Sequence, residues 1–353
     1  EYIKEKTLDF CKKQVLQQAL EDSVKAIQSE NYEEVLNIMK DAVSKGSGSS
    51  VGHIFFEDHE ARFAKINRIC CPTGLSHLDA KDVFNGGLSR GEIGVIVAPT
   101  GVGKSHWLVQ MGAESIRRGK NVIHYTFELS ETAVGIRYDS NLTGIDSSDI
   151  IDNKEKVLEH YDNNDYGRLI IKQYPTGSAS IVTIRNHIEK LSMKDFVPSL
   201  IVLDYADIMR STRQYDSLRH ELKLVYEELR NLAMEMNIPV WTASQANREA
   251  SNSEVVGLEN MSEAYGKAMV ADIVVSISRK PAEKASGMGR IFVAKNRAGK
   301  DGILFPVKID TARSKIEIID DTSQMSLVDI YDAHNTGTKD MLKSKWKEIT
   351  ASK

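Results

Sequence analysis

The chain has 353 residues, of which 46 are Lys or Arg and 50 are Asp or Glu, and its formal net charge is -4. This length can bury one large α/β core with an appendage, and the balanced charge excludes a protein that binds nucleic acid over a broadly basic surface. No apolar run approaches the ~18 residues of a membrane span and no charged-then-apolar leader is visible, so we expect a cytoplasmic protein without membrane contact.

The first 62 residues predict a helical segment followed by a connector. In residues 7–28 the apolar side chains recur at helical spacing, which places one apolar stripe along an otherwise polar helix. Asn31 can cap a second short helix, and the run GSGSS at 46–50 is typical of a flexible connector. Because the chain begins with Glu1 and not with methionine, we expect residues 1–62 to be the end of a longer N-terminal region.

The cysteines indicate reduced thiols. Cys11, Cys70 and Cys71 are too few for a disulfide framework and match no zinc-ligand spacing. We interpret them as structural residues, which suits a cytosolic protein.

Residues 63–320 predict a mostly parallel sheet covered by helices on both faces. Short β-branched runs alternate there with amphipathic stretches, which is the pattern of an α/β domain. The predicted strands are 92–98, 121–126, 168–172, 199–205, 238–243, 272–278 and 289–295. The predicted helices are 104–118, 180–192 and 217–236, and the runs 303–309 and 313–319 predict an antiparallel hairpin. Residues 321–353 are polar and predict a solvated C-terminal tail.

The segment APTGVGKS follows the first predicted strand of this domain and opens a predicted helix. It fits the phosphate-binding P-loop pattern, except that alanine replaces the first glycine. The glycines allow successive backbone N–H groups to face phosphates, Lys104 would meet the β- and γ-phosphates, and the Ser105 hydroxyl would ligate Mg²⁺. We therefore predict ATP and Mg²⁺ as cofactors, although the sequence leaves ATP and GTP undistinguished. The predicted ATP-binding residues are Ala98, Pro99, Thr100, Gly101, Val102, Gly103, Lys104 and Ser105.

Two carboxylates end predicted strands. Asp204 closes the apolar run SLIVLD, the Walker B position, where it can hold Mg²⁺ through water. Glu128 closes the strand after the P-loop helix, where it can orient the attacking water. Glu128 could instead only begin the next helix, where an acidic residue suits the helix dipole. A catalytic base on this strand favours a RecA-like P-loop core.

Five segments resemble the DnaB family of hexameric replicative helicases in order and spacing: APTGVGKS, HYTFELSETAVGIRYDSNL, LIVLDYADIM, IPVWTASQANR and VAKNRAG. The similarity covers about residues 15–320. It is strongest to the T-even phage branch of that family, through AVSKGSGSSVGHIFFEDHEARF and RLIIKQYPTG. The resemblance implies a homo-hexameric ring that hydrolyses ATP, moves 5′ to 3′ on single-stranded DNA and unwinds the replication fork. It also implies primase and a helicase loader as partners, and the host cytoplasm as location if the protein is phage-encoded.

The resemblance also assigns catalytic roles beyond the P-loop. Arg137 matches a family arginine on the helix after the catalytic strand, and Gln245 would sense the γ-phosphate. Lys295 and Arg297 match a pair that reaches the neighbouring subunit's nucleotide, where a guanidinium stabilises charge on the transferring phosphoryl group. Each of the last three could instead be an ordinary polar residue at a strand end.

Contacts with DNA are expected from loops that face the ring's central pore. One candidate loop lies around MSEAYGKAM, and a second, RSTRQYDSLRH, follows the Walker B strand. The candidate DNA-binding residues are Glu263, Gly266, Lys267, Arg210, Arg213, Arg219 and Arg248. Charged loops are also commonly solvated surfaces, and that alternative stays open. The resemblance further implies that the helix within residues 7–28 docks on the adjacent subunit, whereas a self-packed helical hairpin is the alternative.

Two other functions share part of this pattern. A RecA-type recombinase has the P-loop, the strand-end glutamate and DNA loops, but it forms filaments that pair homologous strands. A KaiC-like regulatory ATPase would assemble with nucleotide and lack DNA stimulation, and its duplicated core is not seen here. The spacing of AKNRAG and the N-terminal helix favour the ring helicase.

Overall fold

The computed structural model describes residues 17–28, 32, 34–39, 55–56, 68–213, 215, 217–247, 255–258, 265–319 and 325–326. The chain divides into two compact units, residues 1–67 and residues 68–353. In the first unit, residues 17–28 and 34–39 are helical. The earlier part of the predicted helix 7–28 lies outside the described residues, as does most of the predicted tail.

The second unit is built on a ten-stranded sheet with the strand order β11-β10-β9-β8-β3-β7-β6-β4-β5, and β12 also pairs with β10. The strands from β8 to β5 in this order are parallel, and β9 to β12 extend the sheet in antiparallel fashion. A separate antiparallel pair joins β1 and β2. The strands are β1 (Cys70–Cys71), β2 (Leu88–Ser89), β3 (Ile93–Ala98), β4 (Val122–Thr126), β5 (Leu169–Gln173), β6 (Leu200–Asp204), β7 (Val240–Gln245), β8 (Ile273–Ser278), β9 (Met288–Asn296), β10 (Ile303–Asp310), β11 (Lys315–Ile318) and β12 (Met325–Ser326). The predicted α/β class is confirmed.

Helices cover both faces of this sheet, which explains why the central strands are continuous apolar runs. The face that contains Trp107 and Trp241 forms one core, and the face that contains Tyr125 and Tyr226 forms the other. The two tryptophan rings meet edge to face with centroids 5.8 Å apart. A Cβ atom at Gly94 would lie 2.5 Å from the Trp241 ring, so this strand position requires glycine.

The main helices agree with the predicted ones within one or two residues, but other helices were not predicted. Ser130 caps a helix by accepting a hydrogen bond from the Ala133 N–H, and Gly144 ends it in the left-handed conformation at φ +76°. The helices of the second unit are Ser76–Asp79, Lys104–Arg117, Glu131–Thr143, Lys154–Asp162, Ile181–Ser192, Leu218–Met236, Tyr265–Val270 and Pro281–Ala285, with a 3₁₀ turn at Ala206–Ile208. None of the helices in the described ranges could cross a membrane. Cys70 and Cys71 are free thiols.

The parallel register brings the predicted catalytic segments to one edge of the sheet. Ala98 pairs with Gln245 across β3 and β7, and Thr126 pairs with Asp204 across β4 and β6. Since the carboxyl ends of parallel strands share an edge, the loops that follow these residues meet there. Glu128, two residues beyond β4, belongs to the same edge.

Candidate active site

The P-loop forms one wall of a cavity of about 230 Å³ at this edge. Gly101 (φ +73°) and Gly103 (φ +131°) adopt backbone conformations that L side chains rarely take, and the helix begins directly afterwards at Lys104. Ala98, which replaces the usual first glycine, is fully buried at the end of β3. The cavity is lined by Thr100, Gly101, Gly103, Lys104, Ser105, His106, Glu128, Arg137, Tyr205, Gln245 and Thr311.

Lys104 is held inside the loop by backbone carbonyls. Its Nζ atom donates to the carbonyl oxygens of Ala98 at 3.0 Å and Pro99 at 3.2 Å. Burial lowers the pKa of the ammonium group, and the nearby carboxylates of Asp204 and Glu128 oppose that shift. Two neutral acceptors are a weak substitute for an anion, so the arrangement suits exchange of these carbonyls for phosphate oxygens.

Ser105 and Asp204 place two hard oxygen atoms side by side. Asp204 is 2% exposed, and burial raises the pKa of its carboxyl group, whereas the hydrogen bond with Ser105 lowers it. The charges of Arg137 and Lys104 also favour the ionised form. A hydroxyl and a carboxylate are the ligands that Mg²⁺ takes beside nucleotide phosphates, so the residues present fit the predicted metal.

Glu128 faces the cavity from an exposed position after β4. The Tyr205 hydroxyl is close to this carboxylate, and the pKa of Tyr205 is raised to about 12 by burial first and then by the charge of Glu128. The phenol therefore stays protonated and can donate to Glu128. Tyr205 follows Asp204 directly, and this adjacency was the sequence signal for a role that the sequence analysis did not assign.

Arg137 and His106 also line the cavity. Burial lowers the pKa of Arg137, and the charge of Asp204 raises it. Burial, and then the charges of Arg137 and Arg279, lower the pKa of His106 to about 4. The His106 Nδ1 atom lies 2.9 Å from the Ser314 hydroxyl in the turn between β10 and β11.

The same turn contributes Thr311 to the cavity. The sequence predicted this hairpin but gave no signal that its turn reaches the P-loop, because that contact depends on the order of strands in the sheet.

Gln245 contacts the P-loop directly. Its Nε2 atom donates to the Thr100 hydroxyl at 2.8 Å, and its backbone N–H donates to Asp207 at 3.2 Å. A change at the P-loop can therefore reach the end of β7 through one side chain.

Lys295 and Arg297 lie at the other edge of the sheet. The end of β9, which carries Lys295, pairs with the beginning of β8. The beginning of β8 in turn lies beside the beginning of β3, at the edge of the sheet opposite the P-loop. The Arg297 guanidinium pairs with Asp272 at 3.1 Å and donates to the Met269 carbonyl. Lys295 donates to the Ala268 and Met269 carbonyls, and its pKa is lowered to about 8 by burial and then by the charge of Arg297.

The predicted DNA-binding residues differ in where the structure places them. Arg210 and Arg213 are exposed between β6 and the helix Leu218–Met236, and Arg219 is exposed in the first turn of that helix. Gly266 lies on the helix Tyr265–Val270, whereas Glu263 and Arg248 lie outside the described residues.

Lys267 does not suit contact with DNA, and this part of the interpretation is corrected. Its side chain is 1% exposed and its Nζ atom lies 2.8 Å from Asp207 Oδ1. The charge that suggested a phosphate contact instead pairs with the Asp207 carboxylate, which is 11% exposed.

The chain is similar to several known proteins. Residues 70–331 match the family described as DnaB-like helicase C terminal domain. The chain is 31% identical over 274 residues to the DnaB-like replicative helicase of Enterobacteria phage T4, covering 74% of this chain and 58% of that protein. It is 24% identical over 216 residues to the replicative DNA helicase DnaB of Helicobacter pylori, covering 59% of this chain and 43% of that protein. The chain thus spans about half the length of these relatives.

Two solved structures share the fold. One is a DnaB-like replicative helicase described with its interactions with primase, with a TM-score of 0.68, 14% identity, and coverage of 88% of this chain and 76% of that chain. The other is described as an ATPase domain, with a TM-score of 0.62, 16% identity, and coverage of 74% of this chain and 95% of that chain. These likenesses confirm the predicted RecA-like ATPase fold.

Proposed function

The chain belongs to the DnaB-like helicase family, and we propose that it acts as an ATP-dependent replicative DNA helicase. In this proposal it assembles as a homo-hexameric ring, translocates 5′ to 3′ on single-stranded DNA and unwinds the duplex at the fork. The observation that carries the proposal is the cavity at one sheet edge that Lys104, Glu128 and Gln245 line together. Family membership from residue 70 to residue 331 favours this function over a RecA-type recombinase or a KaiC-like regulatory ATPase.

The chain's own residues would act on ATP as follows. Lys104 would exchange two carbonyl contacts for the β- and γ-phosphate oxygens. Glu128 would orient the attacking water and accept its proton, with Tyr205 fixing the carboxylate. Ser105 and Asp204 would hold Mg²⁺, which when bound neutralises charge on the phosphates. Gln245, which already donates a hydrogen bond to Thr100, would change its contacts when the γ-phosphate is lost and so couple that loss to the end of β7.

A neighbouring subunit would complete the site through Lys295 and Arg297. About 13 Å of strand separates Gly94, near these residues, from Ala98 at the P-loop. Neither side chain can therefore serve its own P-loop, which supports a role in trans. Desolvated at a subunit interface, the Arg297 guanidinium would stabilise charge on the transferring phosphoryl group.

The first unit supports assembly in the same proposal. Leu20, Val24 and Ile27 recur at helical spacing and are 56%, 54% and 50% exposed. Such an apolar stripe on a surface helix favours a partner surface. We propose that this helix docks on the adjacent subunit and helps to close the ring.

DNA would pass the exposed segment that carries Arg210, Arg213 and Arg219. These guanidinium groups can contact phosphates without reading bases, as expected for a motor that moves on any sequence. Gly266, Glu263 and Arg248 remain proposed contacts of the second loop. Primase and a helicase loader are the proposed protein partners, and the cytoplasm of the host cell is the proposed location.

Unwinding of labelled duplexes with ATP and Mg²⁺ tests this function. Substrates with a 5′ tail, a 3′ tail or a fork should be compared, with Lys104→Ala as the control. Displacement that requires a 5′ tail is the expected result. A requirement for a 3′ tail would overturn the polarity, and ATP hydrolysis without any displacement would favour one of the other two ATPase functions.

A further inference from the structure

A groove of about 560 Å³ lies between the helix Ile181–Ser192 and residues 210–212. We call it the basic groove. The polar side chains that line it include Tyr174, Asn186, His187, Lys190, Arg210 and Thr212. It opens at the carboxyl edge of the sheet, since Tyr174 directly follows β5 and Arg210 lies a few residues beyond β6. The P-loop, Glu128 and Gln245 belong to a different cavity at that edge.

The groove is positively charged and contains unused hydrogen-bond donors. None of its lining residues is Asp or Glu. Within the described part of the chain, the side chains of Asn186, Lys190 and Arg210 form no hydrogen bond or ion pair, and all three are exposed. The pKa of His187 is lowered by burial first and then by the charges of Lys172 and Lys190. One carboxylate reaches the rim, where the Thr212 hydroxyl donates to Glu228.

The floor of the groove is fixed by aromatic packing. Tyr174 stacks on Tyr125 at an interplanar angle of 23° and on Phe127 at 24°. The Tyr125 hydroxyl lies 3.0 Å from His187 Nδ1. Asn186 and Lys190 are four residues apart on the helix and therefore project from the same face, one turn apart. The helix thus fixes the backbone positions of Asn186 and Lys190 beside the packed aromatic rings.

We propose that the basic groove binds the phosphate backbone of single-stranded DNA, as a contact additional to the two loop segments. Cationic and amide donors that outnumber the one carboxylate at the rim fit phosphodiester oxygens. Arg210 at the rim also belongs to the exposed segment after β6, so a strand that meets this segment continues into the groove. This continuity favours DNA over an acidic peptide. The inference rests on the proposed function, because that function supplies the strand.

The salt dependence of DNA binding tests the groove directly. The full chain, with Mg²⁺ and a non-hydrolysable ATP analogue, is titrated into a fluorescent oligothymidylate over a series of salt concentrations. Lys190→Gln should reduce the slope of log K against log salt by about 0.7, which is roughly fivefold weaker binding at about 0.1 M salt. Asn186→Asp should also weaken binding, because it places a negative charge in the groove. Lys156→Gln, which removes an exposed lysine from the helix Lys154–Asp162, is the matched control and should behave as the unsubstituted chain.

The outcomes separate the groove from the proposed function. Melting temperatures identify any variant that fails to fold. If Lys190→Gln fails to fold, Asn186→Asp tests the groove through a second exposed residue. If the chain binds the oligonucleotide and Lys190→Gln keeps the same salt-dependence slope and affinity, the proposal that the groove binds DNA is overturned and the helicase proposal stands. If the unsubstituted chain binds no oligonucleotide, the proposed function itself fails. If a poly-glutamate peptide binds as tightly as DNA and loses the same affinity in Lys190→Gln, the site belongs to an acidic protein segment.

Discussion

Lys267 Nζ lies 2.8 Å from Asp207 Oδ1, and the lysine side chain is 1% exposed. The same carboxylate accepts hydrogen bonds from the Tyr226 hydroxyl at 2.8 Å, the Ser244 hydroxyl at 3.0 Å and the Gln245 N–H at 3.2 Å. One partly buried acid therefore joins the end of β7 to the helices Leu218–Met236 and Tyr265–Val270. Its connection to Gln245 also links these helices to Thr100 in the P-loop.

We predict that Lys267→Ala lowers the free energy of unfolding by about 3 kcal/mol, because it leaves Asp207 buried without its countercharge. Urea unfolding monitored by tryptophan fluorescence measures the change. The control is Lys223→Ala, because Lys223 is half exposed in an ion pair with Glu227 and should change stability by less than about 1 kcal/mol. Equal effects of the two substitutions would contradict a structural role for Lys267.

Lys104→Ala should reduce the turnover number for ATP on the order of 100-fold or more, because it removes the positive charge that would meet the β- and γ-phosphates. Steady-state phosphate release measures this. Lys300→Ala, which removes a surface lysine paired with Asp82, should leave turnover unchanged. Near-normal hydrolysis in Lys104→Ala would overturn the P-loop assignment.

Tyr205→Phe should lower kcat by roughly 10-fold or more with little change in KM. The substitution removes the hydroxyl that we propose donates to Glu128. A hydrogen bond to a charged group is typically worth about 1.5–3 kcal/mol, and the contacts of the P-loop remain. Tyr161→Phe removes a comparable phenol that donates to Asp139 outside the cavity, and its kinetics should match those of the unsubstituted chain. A change confined to KM would instead indicate that Tyr205 contacts nucleotide.

Much of this fold could be predicted because the central strands are buried on both faces. β3, β6 and β8 appear in the sequence as apolar runs with clear ends, and each prediction was within one residue of the observed strand. The placement of Lys104, Glu128 and Asp204 at one edge of the sheet was also predictable, because strand ends set their positions. Family resemblance was needed for Gln245, since no local pattern separates it from other polar strand ends.

Long-range packing produced the parts that the sequence did not predict. Lys267 is a single charge among small and apolar residues, and the ion pair that accompanies its burial is with Asp207, sixty residues earlier in the chain. The contact of His106 with Ser314 depends on where the β10–β11 turn reaches over the sheet. In both cases the partner is distant in sequence and carries no periodic signal.

Stability should fall as the pH is lowered from about 6.5 to about 4, in part through His106. Its folded-state pKa is about 4, against 6.5 in a model peptide, so in this window the unfolded chain binds a proton that the folded chain excludes. Above pH 6.5 both states are neutral and the contribution vanishes. His106→Asn should flatten this part of the pH profile, by an amount on the order of 3 kcal/mol at about pH 4. Parallel profiles for the two proteins would show that His106 does not titrate between these limits.

Arg297→Ala should bind ATP and hydrolyse it poorly, because the proposed site takes its guanidinium from a neighbouring subunit. Glu128→Gln should be inactive for a different reason, since it removes the group that orients water. When the two inactive proteins are mixed, some interfaces combine an intact Glu128 with an intact Arg297, and ATP hydrolysis should reappear at a fraction set by the mixing ratio. Mixing Lys104→Ala with Glu128→Gln is the control, because each of these variants has a defect on the P-loop side of the interface. Hydrolysis that never reappears in the first mixture, although native mass spectrometry detects mixed oligomers, would exclude a role for Arg297 in trans.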